Sequence, residues 1–553
     1  MIQRAKIRFY LVGPTPRKIR EVDVPLNNDL KALKNVLGQE FHIVEPGGIN
    51  FQTEEEPIHS VEMMLQASAP IGITIDGKPV RNAPGPGGLP IVGNFYEIFP
   101  DHLGNHARLF SKYGPVIKTN TMGKTTYHTN DPIITGHLLS ESAYFTKKIT
   151  SDHPLWGIKD NSAIFVGDTE THSWLLAHKF LPPCLSPKAI RHYTPLMQRA
   201  VRSSLPVFDA MDEANESWNV YQYMLKLASQ TIGKFCLGLD FHHFDGPDSP
   251  LDPIVDDISA MLVLNKRVTS RGEWYGALPF GDAKRLKEVR HRIYSRLQTA
   301  MDSVEQRDTS DLPLSEAALK ATCVVDYIKR ATDEAGNKLP EDLFLGNIVI
   351  MTAAGFTTTS SLLSWMIYSA VTYEGQQERL LQELVDHDVT NDIDWSPDLA
   401  GSLKYLDKFV KETQRLHNPS FQPARTTKTD VIVPGGYHLP ANSVVVPALY
   451  AIHSNPKFWD NPARFDPDRW DTPQVKQRHR CAFLPFAAGP RGCIGFNFAL
   501  QEVKILFAEL IYRYEFTSES HGAIEYDPDF QLIRPMNIYV RARRRTSWPA
   551  KTK

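Results

Sequence analysis

Residues 347–373, NIVIMTAAGFTTTSSLLSWMIYSAVTY, contain no proline and no charge and are apolar on every side. That pattern describes a long helix buried all round, so the rest of the fold must be packed about it. Its middle reads Ala353-Ala354-Gly355-Phe356-Thr357-Thr358-Thr359-Ser360-Ser361. These are poor helix formers, glycine for its backbone entropy and threonine for its lost rotamer freedom. Two explanations compete. The stretch admits a closely packed neighbour, or it loosens the helix over a reaction centre.

With 553 residues, 42% of them apolar, the chain can bury such a helix in one large core. Its 61 basic and 63 acidic residues nearly cancel, so no global field selects nucleic acid or an anionic membrane. The cysteines Cys184, Cys236, Cys323, Cys481 and Cys493 are odd in number and widely spaced, which excludes a disulfide framework and fits a reducing compartment. No Cys/His cluster has zinc spacing. The first residues, MIQRAKIRFYLVGPTPRKIREVDV, hold no apolar run of signal-peptide length, and no segment reaches the roughly 18 unbroken apolar residues of a spanning helix. The expectation is a cytoplasmic protein without a transmembrane anchor, with peripheral membrane contact left open.

Residues 1–80 alternate in short strand patterns around one amphipathic helical stretch, a small α+β module of β-grasp-like type. The segment Ala83-Pro84-Gly85-Pro86-Gly87-Gly88-Leu89-Pro90 can be neither helix nor central strand and reads as a boundary. Residues 81–545 then read as mainly α with minor β, and 546–553 form a basic tail.

One cysteine stands apart. Phe486-Ala487-Ala488-Gly489-Pro490-Arg491-Gly492-Cys493-Ile494-Gly495 runs straight into a helical pattern. Gly489 and Gly495 allow the backbone to approach a flat object closely. A cysteine entering a helix start is expected to have a lowered pKa and to serve as nucleophile or metal ligand. No histidine is nominated as its base, whereas a thiolate ligand to haem iron accounts for every residue: Phe486 shields the sulfur, Arg491 meets a propionate, and Cys493 binds the metal.

This segment resembles the haem-binding signature of the cytochrome P450 family, and the likeness extends from about residue 84 to 545. The resemblance implies haem b with Cys493 as axial ligand. It implies a buried Glu412–Arg415 pair in KETQR, joined by Arg464 of NPARFDPDRW as a structural triad. Trp174, His178, Arg425 and Arg491 match the propionate contacts. The central helix would cross the distal haem face, with Ala354, Gly355, Thr357 and Thr358 at the oxygen site. Gly355 would open the helix, and the Thr358 hydroxyl would bond the Ala354 carbonyl and pass protons. Thr357 stands where the family usually has an acid.

The region 162–186 is further similar to self-sufficient fatty-acid hydroxylases. That likeness suggests Phe165 above the haem and Lys124 with Tyr127 at the channel mouth, the lysine pairing with a substrate carboxylate. No flavin or nicotinamide motif is present, so NADPH electrons would come from a separate flavin reductase or ferredoxin-type donor, docking on the basic run Lys476–Arg480. The expected activity is monooxygenation of a hydrophobic small molecule, a fatty acid or secondary metabolite. The alternatives are a hydroperoxide isomerase, dehydratase or peroxygenase needing no reductase, and a non-catalytic haem sensor.

Overall fold

The computed structural model describes residues 4–16, 18–25, 29–54, 56–304, 309–420 and 423–552. At the amino terminus, β1 (Arg4–Leu11) and β2 (Ile19–Pro25) form a hairpin, followed by α1 (Leu30–Glu40), β3 (Ile49–Gln52), β4 (Pro57–Ile58) and β5 (Ile71–Ile75). The sheet order is β2-β1-β5-β3-β4. Only β1 and β5 run parallel, a mixed arrangement in which α1 covers one face with Leu33 and Leu37. Asp29 caps α1 by accepting from Lys31 N and Ala32 N.

The larger part is helical around the core helix anticipated from the sequence. Of its sheets, one is assembled from β6 (Val116–Thr121), β7 (Lys124–Thr129), β8 (Phe145–Thr146), β9 (Arg425–Thr427) and, beyond β10 (Val431–Val433) and β11 (Tyr437–Leu439), β12 (Val444–Pro447). Its order is β6-β7-β12-β9-β8. The helices that frame the site are α2 (Pro132–Leu139), α3 (His172–Phe180), α4 (Pro187–Glu213), α5 (Val220–Ile232), α6 (Glu341–Thr372), α7 (Lys404–Leu416) and α8 (Phe496–Arg513).

Helix α6 is the apolar segment quoted above, extended by six residues at its start. Among the described residues it is the one helix long and apolar enough to cross a membrane, and it lies buried in the core. The dihydroxylic stretch remains helical because the hydroxyls bond back along the helix: Thr357 Oγ1 donates to Ala353 O at 2.7 Å and Ser364 Oγ to Ser360 O at 2.7 Å. A Cβ on Gly355 would lie 2.6 Å from Ile232 Cδ1 of α5. Gly355 is thus a packing glycine that lets α5 and α6 touch, which corrects the expectation that it opens the helix. Ala354 is the small residue that α6 exposes.

Candidate active site

The cysteine loop is folded back on itself. Cys493 N donates to Phe486 O at 2.9 Å, Ala487 has φ 58° and Gly489 φ 72°. A side chain on Gly489 would fall 2.0 Å from Leu139 O at the end of α2, so only glycine closes this loop. Cys493 is the one exposed cysteine of the five. Although the residue is open to solvent, the atoms packed about its sulfur push the thiol upward, partly offset by a backbone bond from Gly495. The expected lowering is therefore not met by the protein alone. Helix α8 starts only at Phe496, so its dipole reaches the sulfur mainly through one N–H.

Behind the loop, the Glu412–Arg415 pair is fully buried. Arg415 uses all five of its donors: Nε and Nη2 on Glu412 at 3.0 and 2.8 Å, Nη1 on His453 O and Pro462 O, Nη2 also on Arg464 O. Glu412 also accepts from Asp466 N at 2.9 Å, Arg469 Nε at 2.9 Å and Trp470 Nε1 at 3.2 Å. The third member of the triad is therefore Arg469, not Arg464. The Arg464 side chain is 69% exposed, and only its carbonyl enters the network. His453 carries the cysteine loop from the same side, its Nε2 accepting from Leu484 N at 2.9 Å.

A second set of buried cations is not satisfied. Arg425, 1% exposed, reaches Glu141 at 2.7 Å and donates from Nη1 to Ala424 O, while its Nη2 has no partner. Lys147 is buried beside it and donates to Phe165 O. Arg491 donates from Nη2 to Phe165 O and Gly167 O, both at 2.9 Å, with its guanidinium 4.8 Å from the Trp174 ring. Trp174 Nε1 and His153 Nε2 are buried and unpartnered. Burial and the mutual repulsion of these cations depress Lys147 well below the ordinary lysine range and Arg491 to about 9. Buried charge left unpaired is costly, so this cradle is built for an anion. The residues present would suit a ligand that carries two carboxylates.

His178 lies exposed one turn beyond Trp174, its ring 4.8 Å from the indole. Lys147, His153 and Glu141 escaped the sequence reading. Nothing in YFTKKITSDH separates Lys147 from a solvated lysine, because what buries it is a strand formed 280 residues later.

On the other face, Thr358 Oγ1 donates to Ala354 O at 2.9 Å, as its type and spacing predict. Thr357 points away into the core, 2% exposed. The neighbouring carboxyl is Glu502 of α8, fully buried, which accepts from Thr359 Oγ1 at 3.3 Å and is pushed up to about 8 by burial. Lys124 is not a solvated hairpin lysine. It is 8% exposed, its Nζ has no hydrogen-bond partner and lies 5.6 Å from the Trp156 ring, and burial lowers it to about 8. Tyr127 does not accompany it. Three residues along a strand reverses the face, and Tyr127 packs with Val116, Phe145 and Val445 in the core. Phe165, 48% exposed, stands on the rim of the cradle with Lys147 Nζ 4.0 Å from its ring.

A cysteine in a glycine-closed loop, an unsatisfied dianion cradle and a long helix with a polar centre together define a haem-thiolate protein. The cytochrome P450 family model matches residues 83–540, and the chain belongs to that family of monooxygenases. It is 51% identical over 548 residues to cytochrome P450 monooxygenase alnD of Emericella nidulans (strain FGSC A4), covering 98% of this chain and 99% of that one. Human cytochrome P450 4F3 is 25% identical over 384 residues, 66% of this chain and 72% of the relative. The crystal structure of the cytochrome P450DA haem domain superposes with a TM-score of 0.73 at 20% identity, covering 84% of this chain and 98% of that one, a likeness of fold.

Proposed function

We propose that this chain is an oxygen-inserting haem-thiolate enzyme acting on a hydrophobic small molecule, with electrons from NADPH through a separate flavin reductase or ferredoxin-type donor. The observation that carries the reading is the pairing of Cys493 with an unsatisfied cation cradle to which Arg491, two residues before it, belongs. The fit supports haem b held through Cys493, Arg425, Lys147, Arg491 and Trp174. When bound, its iron would supply the oxygen-activating chemistry. The chain's own part is to place donors. Thr358, bonded to Ala354 O, holds a hydroxyl where Ala354 leaves α6 open, and that hydroxyl can relay a proton.

The substrate reading is a long apolar chain ending in a carboxylate. Lys124 supports it: Asp152 and Glu273 act on its buried ammonium from nearby, but neither bonds it, which leaves its donors for a carboxylate. Arg478 is withdrawn from the basic run, its guanidinium 3.5 Å from the Trp459 ring, so donor docking would fall to Lys476, His479 and Arg480, all exposed. A cytoplasmic protein touching a membrane peripherally is supported by Leu89, Ile91, Trp274 and Phe280, exposed large apolar residues; Val92 O and Gly272 both abut Met122 of the β6–β7 turn. Purified protein given reductase, NADPH and oxygen should oxidise a long-chain acid and consume NADPH with it. Turnover on a hydroperoxide alone, with none under reducing conditions, would establish the isomerase class instead.

A further inference from the structure

The amino-terminal module makes its contacts on two segments of the haem domain. Its segment 42–44 adds to the edge of β10: Ile432 N donates to His42 O and Val44 N to Ile432 O, both at 2.9 Å. His42 Nδ1 lies 2.9 Å from Asp430 O and 3.2 Å from Thr429 Oγ1, and Gly435 N donates to Asp76 Oδ2 at 2.8 Å. The second segment is grasped by Gly38, whose carbonyl accepts from Tyr144 OH at 3.3 Å, and by Glu45, which pairs with His137 at 2.9 Å. Ile432 completes the module's core, and Val44 enters the core beneath β6–β12.

Those two segments lead into one ladder, that of β8 with β9. Lys428 N donates to Tyr144 O at 2.8 Å, Thr427 faces Phe145, Thr426 faces Thr146, and Thr426 Oγ1 donates to Lys148 O at 2.7 Å. Tyr144 stands at the near end of the ladder, and residues 429–432 continue from β9 into β10 of a second sheet; the module holds both. The far end carries Lys147 and Arg425, and Glu141 lies three residues before Tyr144. β8 is an edge strand of two residues, whereas β9 is also paired with β12, Arg425 opposite Val445, so the edge strand that leads into Lys147 is the part with little stability of its own.

We infer that the module is a positioning device for the cofactor cradle: by holding Tyr144 and residues 429–432 it fixes the edge segment 144–148 and with it Lys147 beside Arg425, and so governs how tightly haem is retained. The inference rests on the haem reading of the slot, and its test separates the two. The full-length holoprotein is compared with His42→Ala/Asp76→Ala and with Val44→Pro, which removes the Val44 N–H donor to Ile432 O; Lys6→Ala, on the module's outer face, is the control. Amide hydrogen exchange reads residues 42–44 and 144–148, and haem transfer to excess apomyoglobin reads retention. The expected result is that exchange rises at both places and haem leaves roughly three- to ten-fold faster, the scale of one lost hydrogen bond, with the control unchanged. Faster exchange at 42–44 with unaltered exchange at 144–148 and unaltered haem loss overturns the inference. So does unaltered haem loss in both variants whatever the exchange. Failure of the wild type to take up haem at all would instead overturn the reading of the slot.

Discussion

Two buried charged regions differ in whether protein alone completes them. Around Glu412 and Arg415 every arginine donor has an acceptor, and both carboxylate oxygens are engaged. Around Arg425 and Lys147, buried cations outnumber Glu141 and leave Arg425 Nη2, Trp174 Nε1 and His153 Nε2 without partners. The first region is scaffold, since a closed network holds one geometry and has no capacity left. The second is left open, carrying buried charge that an anion would offset.

That contrast can be broken most severely at its closed end. Arg415→Ala strands Glu412 in the core and is expected to cost about 3–5 kcal/mol, read by denaturant unfolding or by loss of soluble haem-binding protein. Within the same loop, Arg469→Ala should cost about 1–3 kcal/mol, whereas Arg464→Ala should stay within about 0.5 kcal/mol. Equal effects would restore Arg464 to the triad. The open end should respond with opposite sign: Lys147→Met should stabilise the haem-free protein by about 1 kcal/mol while accelerating haem loss. Destabilisation of the haem-free form would show that the cradle is structural after all.

Two pH experiments sharpen the comparison. Glu502 is fully buried but bonded to hydroxyls rather than to a cation, and its folded pKa of about 8 lies above the unfolded value. The unfolded state therefore gives up its proton first, and folding stability falls as pH rises from about 4.5 toward 8. Glu502→Gln should flatten that decline, and an unchanged slope would mean that Glu502 is ionised in the fold. Lys124, lowered to about 8, keeps its charge below that pH. Binding of a long-chain carboxylate should weaken a few-fold as pH rises through about 8, Lys124→Arg should abolish the dependence, and neutral analogues should show none.

Legibility in the sequence followed the same division. Local spacing was enough wherever helix or loop geometry sets who meets whom. The cysteine loop, the three-residue spacing of Glu412 and Arg415, and the bond of Thr358 to the carbonyl four residues back all lie within one turn of chain. The irregular NPARFDPDRW offered two arginines with no period to choose between them, and the chain turned Arg469 inward. Tyr127 went astray because strand alternation places it opposite Lys124. The cradle lay beyond local reading altogether, since Lys147 acquires its role from β9, which joins it from the far end of the domain. Gly355 looked like an opening and serves as a contact, because its meaning depends on Ile232 of α5.

The most direct test is the spectrum of the reduced protein under carbon monoxide, for the wild type and for Cys493→Ser. The wild type should show the strongly red-shifted Soret band that a thiolate ligand produces, and the serine variant should lose it while its Glu412–Arg415 scaffold keeps the protein folded. An unshifted band in the wild type, or a shifted one that survives the substitution, would contradict the account.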